Sequence, residues 1–275
     1  MTEVNCPNIN SDATKKSWID TYHKVGVSKV LGVFSMDEIN RLRKAALQVL
    51  TQLPAISSGG YRHAPLESAK DPEGIVSPAL VFWPCLANSV FDKLRTDERL
   101  RNIAMAILGS DIKQLNNQFY YRMPGDGDSF SWHQDIMFRY PLDAYPGVVE
   151  EGGYLQTAIV VDKMTLANSP IIFIEGSHLY GNLFLHQPGD YSKLRGFHRE
   201  QLPEDLKSLK QLPLEAEPGD VLVWSALTIH GSETNRSNDS RMYYMNGFAR
   251  TRNAVPWPHY CVNRSIAKLD PRLIP

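Results

Sequence analysis

The sequence predicts a mainly β protein in which N-terminal helices pack on a double-stranded β-helix, or jelly roll. Two observations lead to this prediction. In the first part of the chain, apolar residues recur at three- and four-residue spacing, which is typical of amphipathic helices. From about residue 111, short apolar or alternating runs follow one another and are separated by turn residues. Such a series of short strands is typical of a sandwich or a jelly-roll barrel.

The clearest helix signal begins at Ser35. Ser35 and Glu38 have the spacing of a capping box, in which each side chain accepts a hydrogen bond from the other residue's free amide. The apolar pattern behind it predicts a helix to about Gln52, ended by Pro54. The alternating segment 26–34 just before it predicts a short strand.

Shorter helices are predicted over 87–95 and 97–108, the second beginning at Thr96, and another near 203–210. The main strands are predicted at 115–123, 154–161, 169–175, 220–224 and 242–249.

The chain is expected to form one domain over 1–275. Residues 1–110 give mostly helical support, and 111–250 give the β-helix core with a long polar insertion at 180–215. Residues 251–275 form a C-terminal tail.

The composition favours a globular protein that acts on small molecules. With 29 basic and 30 acidic residues the net charge is −1, which argues against a nucleic-acid or anionic-membrane partner. The odd, scattered Cys6, Cys85 and Cys261 predict neither a disulfide framework nor a cysteine zinc site. A polar N-terminus and the absence of a run of ~18 apolar residues predict a cytoplasmic protein without a membrane span. Nothing indicates an obligate protein partner.

A candidate metal site comes from two separated motifs. In Ser131-Trp132-His133-Gln134-Asp135, residues two apart on an extended strand point to the same side, so His133 and Asp135 can meet one ion. His230 follows a later predicted strand and would complete a set of two imidazoles and one carboxylate. That set is typical of the facial triad that binds iron(II) and leaves open positions opposite.

A candidate anion site lies close behind His230. Arg241 follows a polar turn and can begin the next strand, pointing back to the same end of the barrel. A guanidinium binds a carboxylate with two charge-assisted hydrogen bonds, and Ser232 can add a hydroxyl donor. A dicarboxylate co-substrate needs such a site at the end that does not chelate the metal.

These motifs resemble the phytanoyl-CoA hydroxylase-like family of iron(II)/2-oxoglutarate dioxygenases, whose pattern is H-x-D, a distant H-x-S and a later arginine. The segments 169–178 and 217–222 resemble the family's strand before Gly-Ser-His and its turn before the distal histidine. The resemblance covers roughly 116–250. It implies a cupin-like fold with Fe(II), 2-oxoglutarate and O2 as cofactor and co-substrates.

Carried over, the resemblance makes His133, Asp135 and His230 the metal ligands and Arg241 with Ser232 the 2-oxoglutarate clamp. Further 2-oxoglutarate contacts are expected from polar side chains on the strands beside the site: Gln118, Tyr120, and Thr157 or Gln156. Since the family places substrate-facing residues just past H-x-D, the expected pocket residues are Met137, Phe138 and Arg139.

The implied reaction is hydroxylation of an unactivated C–H bond of a small molecule, with release of succinate and CO2. Asp135 favours hydroxylation over halogenation, because halogenases of this class replace that carboxylate with a small residue. We expect a polar or heterocyclic specialised metabolite as substrate; epimerisation, desaturation and ring formation stay open.

Two other classes of protein remain as alternatives. A zinc hydrolase could use the same three ligands with a bound water, although it would not need Arg241 and Ser232. A metabolite-binding protein could keep the scaffold without turnover.

Overall fold

The computed structural model describes residues 12–56, 63–64, 80–124, 129–138, 152–183, 202, 204–250, 261–262 and 265–266. In this part of the chain the helices are α1 (Asp12–Val25), α2 (Met36–Ile56), α3 (Ser89–Arg95), α4 (Glu98–Leu108) and α5 (Glu204–Lys207). The strands are β1 (Val27–Val30), β2 (His63–Ala64), β3 (Leu80–Phe82), β4 (Ile112–Arg122), β5 (Phe130–His133), β6 (Tyr154–Val160), β7 (Ile172–Ile174), β8 (Gln211–Pro213), β9 (Val221–Ser225), β10 (His230–Ser232), β11 (Arg241–Arg250), β12 (Cys261–Val262) and β13 (Ser265–Ile266).

Two antiparallel sheets form the β part. The major sheet has the strand order β1-β9-β6-β11-β4-β3-β2, and the minor sheet has the order β5-β10-β7-β8. Strands β12 and β13 pair with each other. Apart from β2-β3-β4 and β7-β8, neighbours in both sheets are distant in sequence, as β6 is between β9 and β11. The architecture therefore depends largely on long-range pairing.

Alternate residues of the major sheet face two different cores. One face, with Val223 of β9 and Tyr244 of β11, packs on residues of α2, α3 and α4 such as Leu42, Phe91 and Ile103. The other face points toward the minor sheet; it contributes, among others, Ala158, Leu222, Trp224, Tyr243 and Met245, which cluster with Phe173 of β7. This second, interior face positions the candidate site.

The start of α2 is built as the sequence predicts. The Ser35 amide donates to Glu38 Oε2 at 2.8 Å, and the Glu38 amide donates to Ser35 Oγ at 3.4 Å. The predicted end is wrong, because the helix continues through Pro54 to Ile56. Proline lacks one amide donor but has a backbone angle that a helix accepts, so it can bend a helix without ending it.

Two other boundaries differ from the prediction. Asp97, not Thr96, caps α4: its carboxylate accepts from the Arg99 amide at 2.9 Å. The segment 180–215, predicted as a polar insertion with one helix, also contains a strand, because Gln211–Pro213 forms β8 at the edge of the minor sheet. Its pairing partner is β7, which the local sequence pattern does not reveal. Among the helices that the structure describes, none is long and apolar enough to cross a membrane.

Candidate metal centre

His133, Asp135 and His230 meet at the end of the minor sheet. His133 is the last residue of β5, Asp135 opens a 3-10 turn, and His230 is the first residue of β10. The two histidines are paired across β5 and β10, and their ring centroids are 4.1 Å apart. One ligand atom from each of the three residues lies within 4.8 Å of the others. All three side chains are buried.

Backbone carbonyls orient both imidazoles. His133 Nδ1 lies 2.9 Å from the Ser131 carbonyl oxygen, and His230 Nδ1 lies 2.9 Å from the Thr228 carbonyl oxygen. The Nε2 atoms point toward Asp135: His133 Nε2 is 3.9 Å from Oδ1 and His230 Nε2 is 3.6 Å from Oδ2. Contacts of Nδ1 with a carbonyl oxygen fix the ring orientation of histidines that bind a metal through Nε2.

The electrostatic environment keeps His133 neutral. Burial, and then the nearby His230, lower the pKa of the His133 imidazole to about 3, against the opposite effect of Asp135. A neutral imidazole is the form that binds metal. Two imidazole nitrogens and a carboxylate oxygen, buried and convergent, therefore fit the donor set of an iron(II) facial triad.

Trp224 makes a contact with Asp135 that the sequence did not predict. Its indole Nε1 donates a hydrogen bond to Asp135 Oδ2 at 2.7 Å, and both residues are buried. The tryptophan lies on β9, so this bond ties the major sheet to the triad.

Arg241 and Ser232 also come together. Arg241 is the first residue of β11 and 1% exposed, and its Nη2 donates to Ser232 Oγ at 3.4 Å. Arg122, at the end of β4, is its partner across the strands and is fully buried. Two arginines therefore lie at this end of β4 and β11, where the sequence predicted one.

A model of the family described as Phytanoyl-CoA dioxygenase (PhyH) matches residues 22–243. The chain belongs to this family. An ectoine dioxygenase from Stutzerimonas stutzeri (strain A1501) is 23% identical over 248 residues, which are 87% of this chain and 78% of the relative.

Solved structures show the same fold. EctD from S. alaskensis with 2-oxoglutarate and 5-hydroxyectoine aligns with a TM-score of 0.67 and 20% identity, over 99% of this chain and 86% of that one. The epimerase SnoN, in complex with Fe3+, alpha ketoglutarate and nogalamycin RO, has a TM-score of 0.67 and 15% identity, over 87% of this chain and 85% of that one. The predicted family, the jelly-roll fold and the class of enzyme, a dioxygenase using Fe(II), 2-oxoglutarate and O2, are confirmed.

The remaining predicted co-substrate residues of this PhyH protein divide between the two faces of the sheet. Gln118 and Tyr120 lie on the interior face; the Tyr120 ring stacks on Tyr243, with centroids 5.2 Å apart. Thr157 does not reach the site. Its hydroxyl donates to the Asn246 carbonyl oxygen at 2.9 Å, on the face that packs against the helices. The strand register puts Gln156 on the interior face instead, because successive residues of a strand alternate between faces.

The expected pocket residues follow Asp135 directly. Met137 and Phe138 belong to its 3-10 turn, and Arg139 lies outside the described residues. Arg122 could have been found by counting alternate residues along β4 from Gln118 and Tyr120, since all three share one face. No comparable local signal pointed to Trp224.

Proposed function

We propose that this PhyH protein hydroxylates an unactivated C–H bond of a small polar molecule, consuming 2-oxoglutarate and O2 and releasing succinate and CO2. The observation that carries the proposal is the placement of the His133–Asp135–His230 cluster beside the buried Arg241–Ser232 pair. In this assignment His133, Asp135 and His230 hold iron(II). The bound iron supplies the oxidising chemistry, while the protein supplies binding, orientation and exclusion of water.

Arg241 and Ser232 are assigned to the distal carboxylate of 2-oxoglutarate, with Arg122 as a second cation beside them. Arg241 and Arg122 are paired across β11 and β4, and both are buried. A carboxylate placed there would meet charge of opposite sign from two directions, in surroundings with little water to screen the attraction. Tyr120 and Tyr243, stacked on the next interior row, would flank the chain of the co-substrate.

The interior face also supports a polar substrate. Gly247 of β11 is paired with Asn116 on one side and with Gln156 on the other, and Asn116 Nδ2 donates to Gln156 Oε1 at 3.4 Å. Gln156 is in turn paired with Trp224, which contacts Asp135. Of these two amides, Gln156 lies on the strand next to Trp224, and Asn116 lies two strands farther along the sheet. Buried amides are best satisfied by a ligand that offers hydrogen-bonding groups.

The first test is an anaerobic titration of the purified protein with iron(II) and then 2-oxoglutarate. We expect a visible metal-to-ligand charge-transfer band that appears only when both are present. Tight stoichiometric zinc binding, with no band under any iron or 2-oxoglutarate concentration, would instead indicate a hydrolase that uses the same three ligands.

The second test addresses turnover and substrate class. Succinate release is measured with ectoine, the compound in the name of the S. stutzeri relative, as a polar probe and with a fatty acyl-CoA as a contrasting probe. Succinate formation stimulated by the polar probe, with one hydroxyl added to it, is the expected result. Stimulation by the acyl-CoA alone would contradict the polar assignment. Product mass distinguishes hydroxylation, which adds one oxygen atom, from epimerisation, the reaction named for SnoN.

A further inference from the structure

Trp224 is held rigidly in the wall of the metal centre. On β9 it is paired with Val27 of β1 and Gln156 of β6, so strands flank it on both sides. Its ring packs edge-on against Phe173 and His230, with both pairs of centroids 5.7 Å apart. The side chain is 1% exposed, so its ring has little room to adopt another rotamer.

The indole donates its single N–H to the metal-site carboxylate. Tryptophan has one donor and no acceptor, and this donor lies 2.7 Å from Asp135 Oδ2. The two histidines approach different oxygens of this carboxylate, since His133 Nε2 is 3.9 Å from Oδ1 and His230 Nε2 is 3.6 Å from Oδ2. The indole hydrogen bond is made to Oδ2, and this bond gives the two oxygens of Asp135 different surroundings.

From this asymmetry we infer that Trp224 is a positioning residue that keeps Asp135 a one-oxygen ligand, with Oδ1 toward the metal and Oδ2 held by the indole. The inference rests on the proposed function. It matters because a carboxylate that binds through both oxygens occupies a further coordination position. A dioxygenase of this class needs that position for 2-oxoglutarate, which chelates through two atoms, or for O2.

The same hydrogen bond acts on the orientation of the carboxylate before any metal is present. A charge-assisted hydrogen bond in a buried site holds Asp135 in one rotamer, so less conformational freedom is lost when the metal binds. His230 contacts the indole ring as well. Trp224 thereby contacts two of the three proposed ligands while ligating nothing itself.

The test replaces the donor and keeps an aromatic ring, with the variant Trp224→Phe. The matched control is Trp18→Phe, which makes the same chemical change at a buried tryptophan packed in the core on the helix side of the major sheet. Iron(II) affinity is measured anaerobically without co-substrate, and the charge-transfer band is then recorded after 2-oxoglutarate is added. Melting curves of the metal-free proteins report on folding.

For Trp224→Phe we expect iron(II) affinity to fall roughly 10- to 100-fold, the range seen when outer partners of metal ligands are removed. The charge-transfer band should shift or weaken, and Trp18→Phe should match the unaltered protein in both readouts. Unchanged affinity together with an unchanged band in a folded Trp224→Phe protein would overturn the inference. If the unaltered protein gives no band at all, the proposed function fails first, so the two failures are distinguishable.

A measurement on the unaltered protein covers the case in which Trp224→Phe does not fold. The indole N–H resonances of 15N-labelled tryptophan are followed while Zn(II), a diamagnetic probe, is added. The Trp224 resonance is the one that persists in each of the variants Trp18→Phe, Trp83→Phe, Trp132→Phe and Trp257→Phe, and it should shift on binding while that of Trp18 stays in place. If the Trp224 resonance stays in place at saturating Zn(II), the inference is overturned.

Discussion

At the scale of the residue, the proposed ligands reach one point through different local conformations. His133 ends a strand, Asp135 begins a 3-10 turn and His230 begins a strand of the same sheet. The change from strand to turn after His133 directs the Asp135 carboxylate back toward both imidazoles. The contacts of the imidazole Nδ1 atoms with backbone carbonyls then leave each Nε2 as the atom that faces the centre.

The proposed role of Arg241 in binding 2-oxoglutarate can be tested separately from metal binding. In Arg241→Ala we expect the KM for 2-oxoglutarate to rise well over tenfold, because a hydrogen bond to a charged group contributes about 1.5–3 kcal/mol. Arg241→Lys should lose less, since it keeps the charge without the paired donors. Initial rates at varied 2-oxoglutarate provide the measurement, with the exposed Arg41→Ala as control. Equal KM values for Arg241→Ala and the control would show that another residue binds the co-substrate.

At the scale of the element, the capping box of α2 also connects two helices. Arg99, near the start of α4, donates from Nη2 to Glu38 Oε1 at 2.6 Å and from its backbone amide to Asp97 Oδ1. One arginine thus joins the first turns of α2 and α4, both of which pack on the major sheet. The hydrogen bonds from Arg99 lower the pKa of Glu38 from its ordinary 4.5 to about 2.

This shift predicts a pH-dependent contribution to stability. Because the pKa of Glu38 is lower in the folded protein, its contribution is complete above about pH 4.5 and is lost as the pH falls toward 2. Glu38→Gln should lower the free energy of unfolding at neutral pH by about 1 kcal/mol, a modest value because both side chains are partly exposed. Near about pH 3 the difference from the unaltered protein should shrink.

Urea unfolding at both pH values measures this contribution. The control is Glu98→Gln, in the same region but with a side chain that is 84% exposed and an oxygen 3.9 Å from Arg101. It should change stability little at either pH. A Glu38→Gln effect of the same size at both pH values would contradict the assigned role of the ionised carboxylate.

At the scale of the whole molecule, the candidate site joins the two sheets. His133 and His230 come from the minor sheet, whereas Trp224 and Arg241 come from the major sheet. A ligand that contacts both groups binds the folded chain and not the unfolded one. Its binding energy therefore adds to the stability of the whole fold.

We accordingly expect iron(II) and 2-oxoglutarate to raise the melting temperature together. At a free ligand concentration of about 100 times Kd, a single binding event adds about 2.7 kcal/mol, which corresponds to several degrees for a chain of this length. Anaerobic thermal melting with and without a chelator measures the shift. Asp135→Ala should show neither the shift nor turnover. Full iron stabilisation of that variant would contradict the ligand assignment.

Much of this protein could be predicted from local sequence. The capping box at Ser35, the period of the major strands and each of the motifs H-x-D and H-x-S are patterns of residues close together in the chain. They predicted the fold class, the family and the residues that the structure brings together at the candidate site. The helix end predicted at Pro54 was wrong because the preference of a single residue is weaker than the tertiary context of the helix that contains it.

Tertiary structure alone decided the surroundings of those residues. The contact of Trp224 with Asp135, the pairing of Arg122 with Arg241 and the choice of Gln156 over Thr157 all depend on strand register. A shift of one residue in register turns every side chain of a strand to its other face. Register is set by long-range packing between strands that are distant in sequence, so it is not encoded in any short segment. The sequence by itself determined which groups are proposed to do the chemistry, and only the fold decided which neighbours hold them in place.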